Sequence, residues 1–218
     1  MKKVLLIAYQ FPPKSGPGVH RSKNLAKHLR KHGYEPIIFT INKKAIEVER
    51  GFIDNKQLED LPADLNIIRT NAGFLSKISV LLMELKVYRL FWYFFYPIFW
   101  EWSSLWPFLN YQKAIKIVKQ HKINLIYTSS GPFSSMYLGW LLQTKFKIPW
   151  VADLRDPFTD AYVWQFPSKI HWKLARLWEK WMFKKPAHLI VNTNEVKKLF
   201  ISRKLTDPNK ISVVNNGF

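Results

Sequence analysis

The chain opens on Val4-Leu5-Leu6-Ile7, an unbroken apolar run between Lys2-Lys3 and the Pro- and Gly-containing stretch Tyr9–Gly18. An apolar run without polar alternation suits a strand buried on both faces of a parallel sheet, so the first strand is expected at Lys3–Tyr9. The same pattern recurs at Pro36–Ile41, Asn66–Thr70, Leu125–Ser129, Trp150–Leu154, Leu189–Asn192 and Ile211–Val214. Helical spacing lies between these runs. Val19–His32 carries Leu25, Ala26 and Leu29 on one side and stops at Gly33. Tyr111–His121 sets Ala114, Ile117, Val118 and His121 on one face, and Phe133–Thr144 and Glu195–Phe200 complete the series. Strands alternating with helices through short connections predict an α/β fold, a doubly wound and mostly parallel sheet spanning residues 1–218 as a single domain. Only Asn42–Asp64 is polar and poorly periodic, which reads as a loop with a short helix.

Two segments depart from this rhythm. Residues 74–109 hold 13 of the chain's 35 aromatic side chains, and Leu90–Trp100 is apolar throughout. That run is too short to span a bilayer and contains Pro97. Trp and Tyr favour the lipid headgroup level, and Lys86 and Arg89 are placed to reach phosphates. An aromatic helical insertion packed over the sheet fits the same residues. In Ser168–Lys185 a helical projection aligns Lys169, Lys173, Arg176, Lys180 and Lys184 beside an apolar face of Ile170, Leu174, Leu177, Trp178 and Trp181. Such a helix suits an anionic membrane surface. A covering helix with its apolar face on the sheet and its lysines in water is the expected use in an α/β domain.

Charge sharpens the choice of partner. Thirty-four Lys and Arg against fifteen Asp and Glu leave +19, which favours an acidic partner such as anionic lipid, nucleic acid or a phosphorylated substrate. Zero cysteines exclude disulfides and thiolate metal sites, and the N-terminus reads as a strand rather than a secretory signal. The expected location is cytoplasmic, peripheral on the inner face of the cell membrane.

In an open parallel sheet the ligand crevice lies beyond the carboxyl ends of the strands. Those ends supply Gly16, Gly18, His20 and Arg21 after strand 1, and Ser129, Ser130 and Gly131 after strand 4. Strand 5 is followed by Asp153-Leu154-Arg155-Asp156-Pro157, and strand 6 by Asn192-Thr193-Asn194. Gly16 and Gly18 let backbone approach a ligand, and the helix start that follows attracts anions. Arg155 can fork onto a phosphate, and Asp153 or Asp156 can accept from a sugar hydroxyl or act as a base. The same charges also suit an internal Asp–Arg pair that fixes the loop. Arg21 stands where a dinucleotide fingerprint needs its third glycine, no Gly-Lys-Ser/Thr phosphate loop or Gly-x-Ser-x-Gly elbow occurs, and the six His lack ligand spacing. No metal and no bound cofactor is expected.

At this point the sequence resembles the N-terminal half of a family-4-type glycosyltransferase of the GT-B architecture. The residues that carry the resemblance run the length of the chain: Val4–Ile7 with Phe11-Pro12-Pro13 and Gly16-x-Gly18, Leu25–Leu29 with His32-Gly33-Tyr34-Glu35, Asp153–Pro157, Leu189–Thr193, and Lys210–Phe218. The resemblance implies two Rossmann-like domains facing across a cleft, with a sugar acceptor on the N-terminal one. The C-terminal one would bind the nucleotide-sugar donor and carry paired glutamates. It further implies transfer with retention of anomeric configuration and without a metal. The interdomain linker is expected to begin near residues 215–218. On that reading the chain is expected to be a truncated form or one half of a split enzyme with a separate donor domain, and is not expected to transfer sugar efficiently alone because half the cleft is lacking. Many relatives carry a His after strand 4; this chain has Tyr127–Gly131 there, without a His, so that role does not carry over, and Asp153 is the candidate catalytic residue. The expected cleft residues are Gly16, Gly18, His20, Arg21, Ser129, Ser130, Arg155, Asp156 and Asn194.

The leading reading is an acceptor-binding domain working on a lipid-linked or envelope glycan at an anionic membrane surface. A non-catalytic module is the alternative, either a docking half for a separate donor domain or a basic nucleic-acid-binding domain. Nucleic acid is disfavoured because the aromatics lie in an apolar run instead of alternating with Lys and Arg as a stacking platform does.

Overall fold

The computed structural model describes residues 1–72, 74–87, 90, 93–94, 101, 103–161 and 166–216. In chain order the elements are β1 (Lys2–Ala8), α1 (Pro17–His28), β2 (Tyr34–Ile41), α2 (Lys43–Val48), α3 (Lys56–Glu59), β3 (Asn66–Thr70), α4 (Phe74–Glu84), α5 (Trp106–Leu109), α6 (Tyr111–His121), β4 (Leu125–Ser130), α7 (Ser135–Phe146), β5 (Trp150–Leu154), α8 (Lys169–Met182), β6 (His188–Val191), α9 (Asn194–Ser202) and β7 (Ile211–Val213). All seven strands run parallel in the order β3-β2-β1-β4-β5-β6-β7. The order reverses direction at β1 and β4, which opens a crevice at their carboxyl ends.

Alternate residues of each strand face opposite sides of the sheet. Leu5, Ile7, Ile37, Phe39, Ile126, Trp150, Ala152 and Leu154 join the larger core with Ala114, Ile117 and Val118 of α6, Met136, Leu138 and Leu142 of α7, and Phe200 of α9. Leu6, Ala8 and Ile38 face the other way, against Ala26 of α1 and against Leu61 and Leu65. The strand–helix alternation and the parallel sheet agree with the sequence pattern. The helix expected over Val19–His32 divides into α1 and a 3-10 turn, Leu29–His32, closed by Gly33 at φ +80°.

The aromatic stretch 74–109 is anchored at its far end. Trp106 is fully buried, edge-on to Tyr9 at 5.2 Å and beside Phe39 at 5.6 Å, and its Nε1 donates to Thr70 Oγ1 at 2.8 Å. Glu101 is 3% exposed and accepts from the backbone N–H groups of Phe133 and Ser134 at 2.9 and 2.8 Å, capping the start of α7. Of the apolar run Leu90–Trp100, Leu90, Tyr93 and Phe94 are described and exposed, and the remainder lies outside the described residues. Among the described residues no helix is long and apolar enough to cross a membrane.

One helix differs from its expected orientation. α8 turns His171, Ala175, Glu179 and Met182 inward and, of the expected apolar face, packs Trp178 against the core, while Ile170, Leu174, Leu177 and Trp181 are 40% to 69% exposed. The reason is Glu179, fully buried and paired with Arg203 and Thr159. A buried carboxylate must keep its partners, and that requirement sets the roll of the helix against the pull of its apolar stripe.

Candidate functional site

The loop after β1 is braced from the segment that reads poorly in sequence. Ser15 N–H donates to Phe52 O and Asp54 N–H to Pro13 O, both at 2.8 Å, and Arg69 Nη2 donates to Pro12 O at 2.8 Å. This bracing holds Gly16 at φ +135°, a conformation open only to glycine. α1 then starts at Pro17 with no side-chain cap and no acidic residue in its first turn. Its first N–H groups and positive dipole end therefore face the crevice uncompensated by carboxylate.

Gly18 matters for a different reason. A Cβ there would lie 2.6 Å from Arg155 Nη1 and 2.1 Å from Gln10 Oε1, so the bare backbone makes room for both side chains. Arg155 also passes close to Gly131, where a Cβ would stand 3.5 Å from Nη2. Its Nε donates to Asp156 Oδ2 at 2.8 Å, and both side chains are partly exposed.

Beneath this layer, parallel register places Ala8, Ser129 and Asp153 side by side. Asp153 is 2% exposed. Its Oδ2 accepts from Arg21 Nε at 2.6 Å and from the Tyr127 hydroxyl at 2.7 Å. Its Oδ1 is buried without a hydrogen-bond partner among the described residues. Arg21 reaches on from Nη1 to Val214 O at 2.8 Å, to Asn215 O and to Asn216 Oδ1, which ties the end of the sheet to α1. Burial works against the Arg21 charge, but its hydrogen bond and attraction to Asp153 outweigh it and raise the pKa. Burial, reinforced by the Asp153 charge, pushes the Tyr127 phenol well above its ordinary range. Tyr127 is a neutral donor and Asp153 a carboxylate acceptor.

A cavity of about 730 Å³ opens over this cluster, lined by His20, Arg21, Asn24, Tyr127, Arg155 and Asp156 with Pro17 and Leu25 at one side and Val214–Asn216 at the other. Four of the sequence-selected residues, His20, Arg21, Arg155 and Asp156, thus share one cavity. Gly16 and Gly18 shape α1's entry to it. Ser130 points inward, donating from Oγ to Asp153 O at 2.7 Å, and Ser129 stands beside Asp153 without lining the cavity. Asn194 is the exposed first residue of α9, outside the cavity, where Thr193 provides the cap. Sequence reasoning missed Tyr127, Asn24 and Val214–Asn216. Tyr127 has a legible signal, since it lies two residues before Ser129 on the same strand face. Among the described residues no three His, Cys, Asp or Glu side chains group as a metal site.

The sequence pattern of Glycosyltransferase Family 4 matches residues 19–218. The chain belongs to this family. Solved structures agree with the family-4 assignment at the level of fold. A glycosyltransferase from Rickettsia africae ESF-5 is 16% identical with a TM-score of 0.56, over 99% of this chain and 43% of that one. Sucrose-phosphate synthase from Thermosynechococcus elongatus is 14% identical with a TM-score of 0.61, over 100% and 49%. A UDP-GlcNAc 2-epimerase from Neisseria meningitidis, solved bound to UDP-GlcNAc, is 10% identical with a TM-score of 0.52, over 99% and 47%. The family-4 chain has the Rossmann-like α/β fold of a GT-B half and spans a little under half the length of each of these proteins. No curated protein matches the sequence.

Proposed function

We propose that the chain is the acceptor-binding half of a retaining glycosyltransferase that moves a sugar from a nucleotide-sugar to a lipid-linked or envelope glycan. The observation that carries this reading is the cavity at the carboxyl ends of β1, β4 and β5. Its volume is in the range of small-ligand sites, and its lining is polar and mixed in charge. Arg155 and the uncapped start of α1 suit a phosphate. Asp156, Asn24 and His20, which line the same cavity, suit sugar hydroxyls. The nucleotide-sugar is a co-substrate for a second domain that faces this cavity across the linker.

In this reading Asp153 is a positioning residue. Its carboxylate already receives Arg21 and Tyr127 and lies under the cavity floor, so it holds the cavity wall instead of taking a proton from substrate. The buried Oδ1 is the one carboxylate oxygen left for a donor on a ligand that enters deeply.

The test is chemical-shift mapping of the chain with a short prenyl diphosphate-linked monosaccharide. Shifts concentrated at His20, Asn24, Tyr127 and Arg155, and lost in Arg155→Ala, support the acceptor site. Shifts at the same residues from a nucleoside diphosphate-sugar alone, with none from the lipid-linked sugar, overturn it in favour of a donor site.

A further inference from the structure

The outward face of α8 is built like an interfacial helix. Ile170, Leu174, Leu177 and Trp181 recur at helical spacing with exposures of 69%, 41%, 65% and 40%. Lys169, Lys173, Lys180 and Lys184 are exposed beside them. The helix contains one carboxylate, Glu179, and that one is buried on the opposite side. The apolar stripe is therefore flanked by positive charge with no negative side chain of its own helix to offset it.

Neighbouring segments extend this surface. Tyr93 and Phe94 are exposed, and the Tyr93 carbonyl accepts from His171 Nε2 at 2.9 Å with the two rings 5.1 Å apart. That contact sets them beside the first turn of α8. Along the other edge, Lys173, Arg176 and Lys180 border a hollow of about 420 Å³ floored by Leu177 and Leu205. Arg203 also lines it but is engaged with Glu179 and Asp160.

We propose that this face lies on an anionic membrane surface, with Ile170, Leu174, Leu177 and Trp181 at the headgroup–acyl boundary and the flanking lysines on lipid phosphates. Charge decides among the occupants. A second copy docked face to face through this stripe would set lysines against lysines, whereas an anionic bilayer supplies both an apolar layer and the opposite charge. Amphipathic aromatic and long basic side chains at the rim match the polarity gradient of the interface.

Topology relates this surface to the cavity. α8 follows β5 and returns antiparallel to it, so its first turn, with Ile170, lies at the same edge of the sheet as the strand carboxyl ends. A membrane under α8 reaches the cavity's edge of the domain. Reach to a lipid-linked acceptor rests on the function proposed above, while membrane contact itself does not.

Co-sedimentation of the full chain with phosphatidylglycerol–phosphatidylcholine vesicles, and with pure phosphatidylcholine, tests the contact. Expected is binding to the anionic vesicles that weakens with salt. Lys173→Glu with Lys180→Glu lowers that partitioning by more than roughly tenfold, and Leu177→Glu lowers it to a similar degree by breaking the stripe. The same charge reversal on α6, Lys116→Glu with Lys119→Glu, leaves more of the binding intact. These positions are exposed, and an unchanged melting midpoint shows that each variant is folded. No sedimentation at moderate salt overturns the proposal, as does equal loss in the α6 pair. So does a concentration-dependent dimer that Leu177→Glu dissolves while vesicles fail to bind. Oligonucleotide binding abolished by the α8 pair, again without vesicle binding, assigns the face to nucleic acid instead.

Discussion

Arg21 donates from Nε to Asp153 Oδ2 at 2.6 Å while its Nη1 donates to Val214 O at 2.8 Å. One side chain thereby joins α1, the end of β5 and the segment that follows β7. The Arg21 and Asp153 side chains are 14% and 1% exposed, so the pair is shielded from water. Breaking a buried pair leaves a charge without its partner, which is more damaging than the net worth of the pair suggests.

Asp153→Asn follows directly. Arg21 loses its counter-charge in place, and the stability loss is about 3 kcal/mol. For a domain of this size that lowers Tm by roughly 6–12 °C. Thermal melts of the variant check it. A melting midpoint equal to the wild type, with transfer abolished in the assembled enzyme, would return Asp153 to a catalytic role.

Arg21→Lys separates the two halves of the clamp. A lysine keeps a charge for Asp153 but has a single ammonium, whereas the guanidinium serves the carboxylate and the chain at Val214–Asn216 together. Hydrogen exchange at Val214, whose amide donates to Val191 O, is expected to speed up, while core amides in β1 and β4 keep their protection. Unchanged exchange at Val214 means that its bond to Val191 O is enough to hold the segment without Arg21.

The strands were legible because a sheet buried on both faces writes itself as unbroken apolar runs, as at Val4–Ile7 and Trp150–Leu154. The crevice followed from strand ends alone, and so did His20, Arg21, Arg155 and Asp156. Two things were not legible. The clamp depends on a contact between Arg21 and residues 214–216, which lie far apart in sequence, and no local pattern announces it. The roll of α8 depends on Glu179 meeting Arg203 and Thr159, where a projection of helical spacing favours the larger apolar face. At α8 a buried charge pair overrides hydrophobic patterning.

Tyr127→Phe is expected to change the alkaline limb of the stability profile. Burial and the Asp153 charge raise the phenol's pKa in the folded protein, so folding favours its neutral form. That contribution is full below the unfolded tyrosine pKa of about 10 and declines as pH rises through it towards the folded value. The variant loses about 1–2 kcal/mol at neutral pH with the hydrogen bond to Asp153. It also loses less stability than the wild type between neutral pH and pH values above about 10. Melts across that range check this. Burial also raises Tyr137, so the difference between wild type and variant is the quantity to read. Parallel profiles would exclude Tyr127 as the responsible group.

Gly16 and Gly18 separate fold from site. Gly16 sits at φ +135° with no atom near its missing Cβ, so Gly16→Ala strains only backbone and costs about 1–3 kcal/mol. Gly18 has no positive φ and belongs to the first turn of α1, where alanine is favoured over glycine by roughly 0.5–1 kcal/mol. The added methyl instead meets Gln10 Oε1 and Arg155 Nη1, the far ends of two flexible side chains, which swing away. Gly16→Ala is therefore expected to lower Tm, and Gly18→Ala to leave Tm unchanged or slightly raised while displacing Arg155 from the cavity. Paired melting and acceptor-binding measurements on the two variants distinguish these effects. If Gly18→Ala binds the lipid-linked probe as well as the wild type does, the position of Arg155 against α1 has no part in recognition, and the phosphate contact must come from the helix start alone.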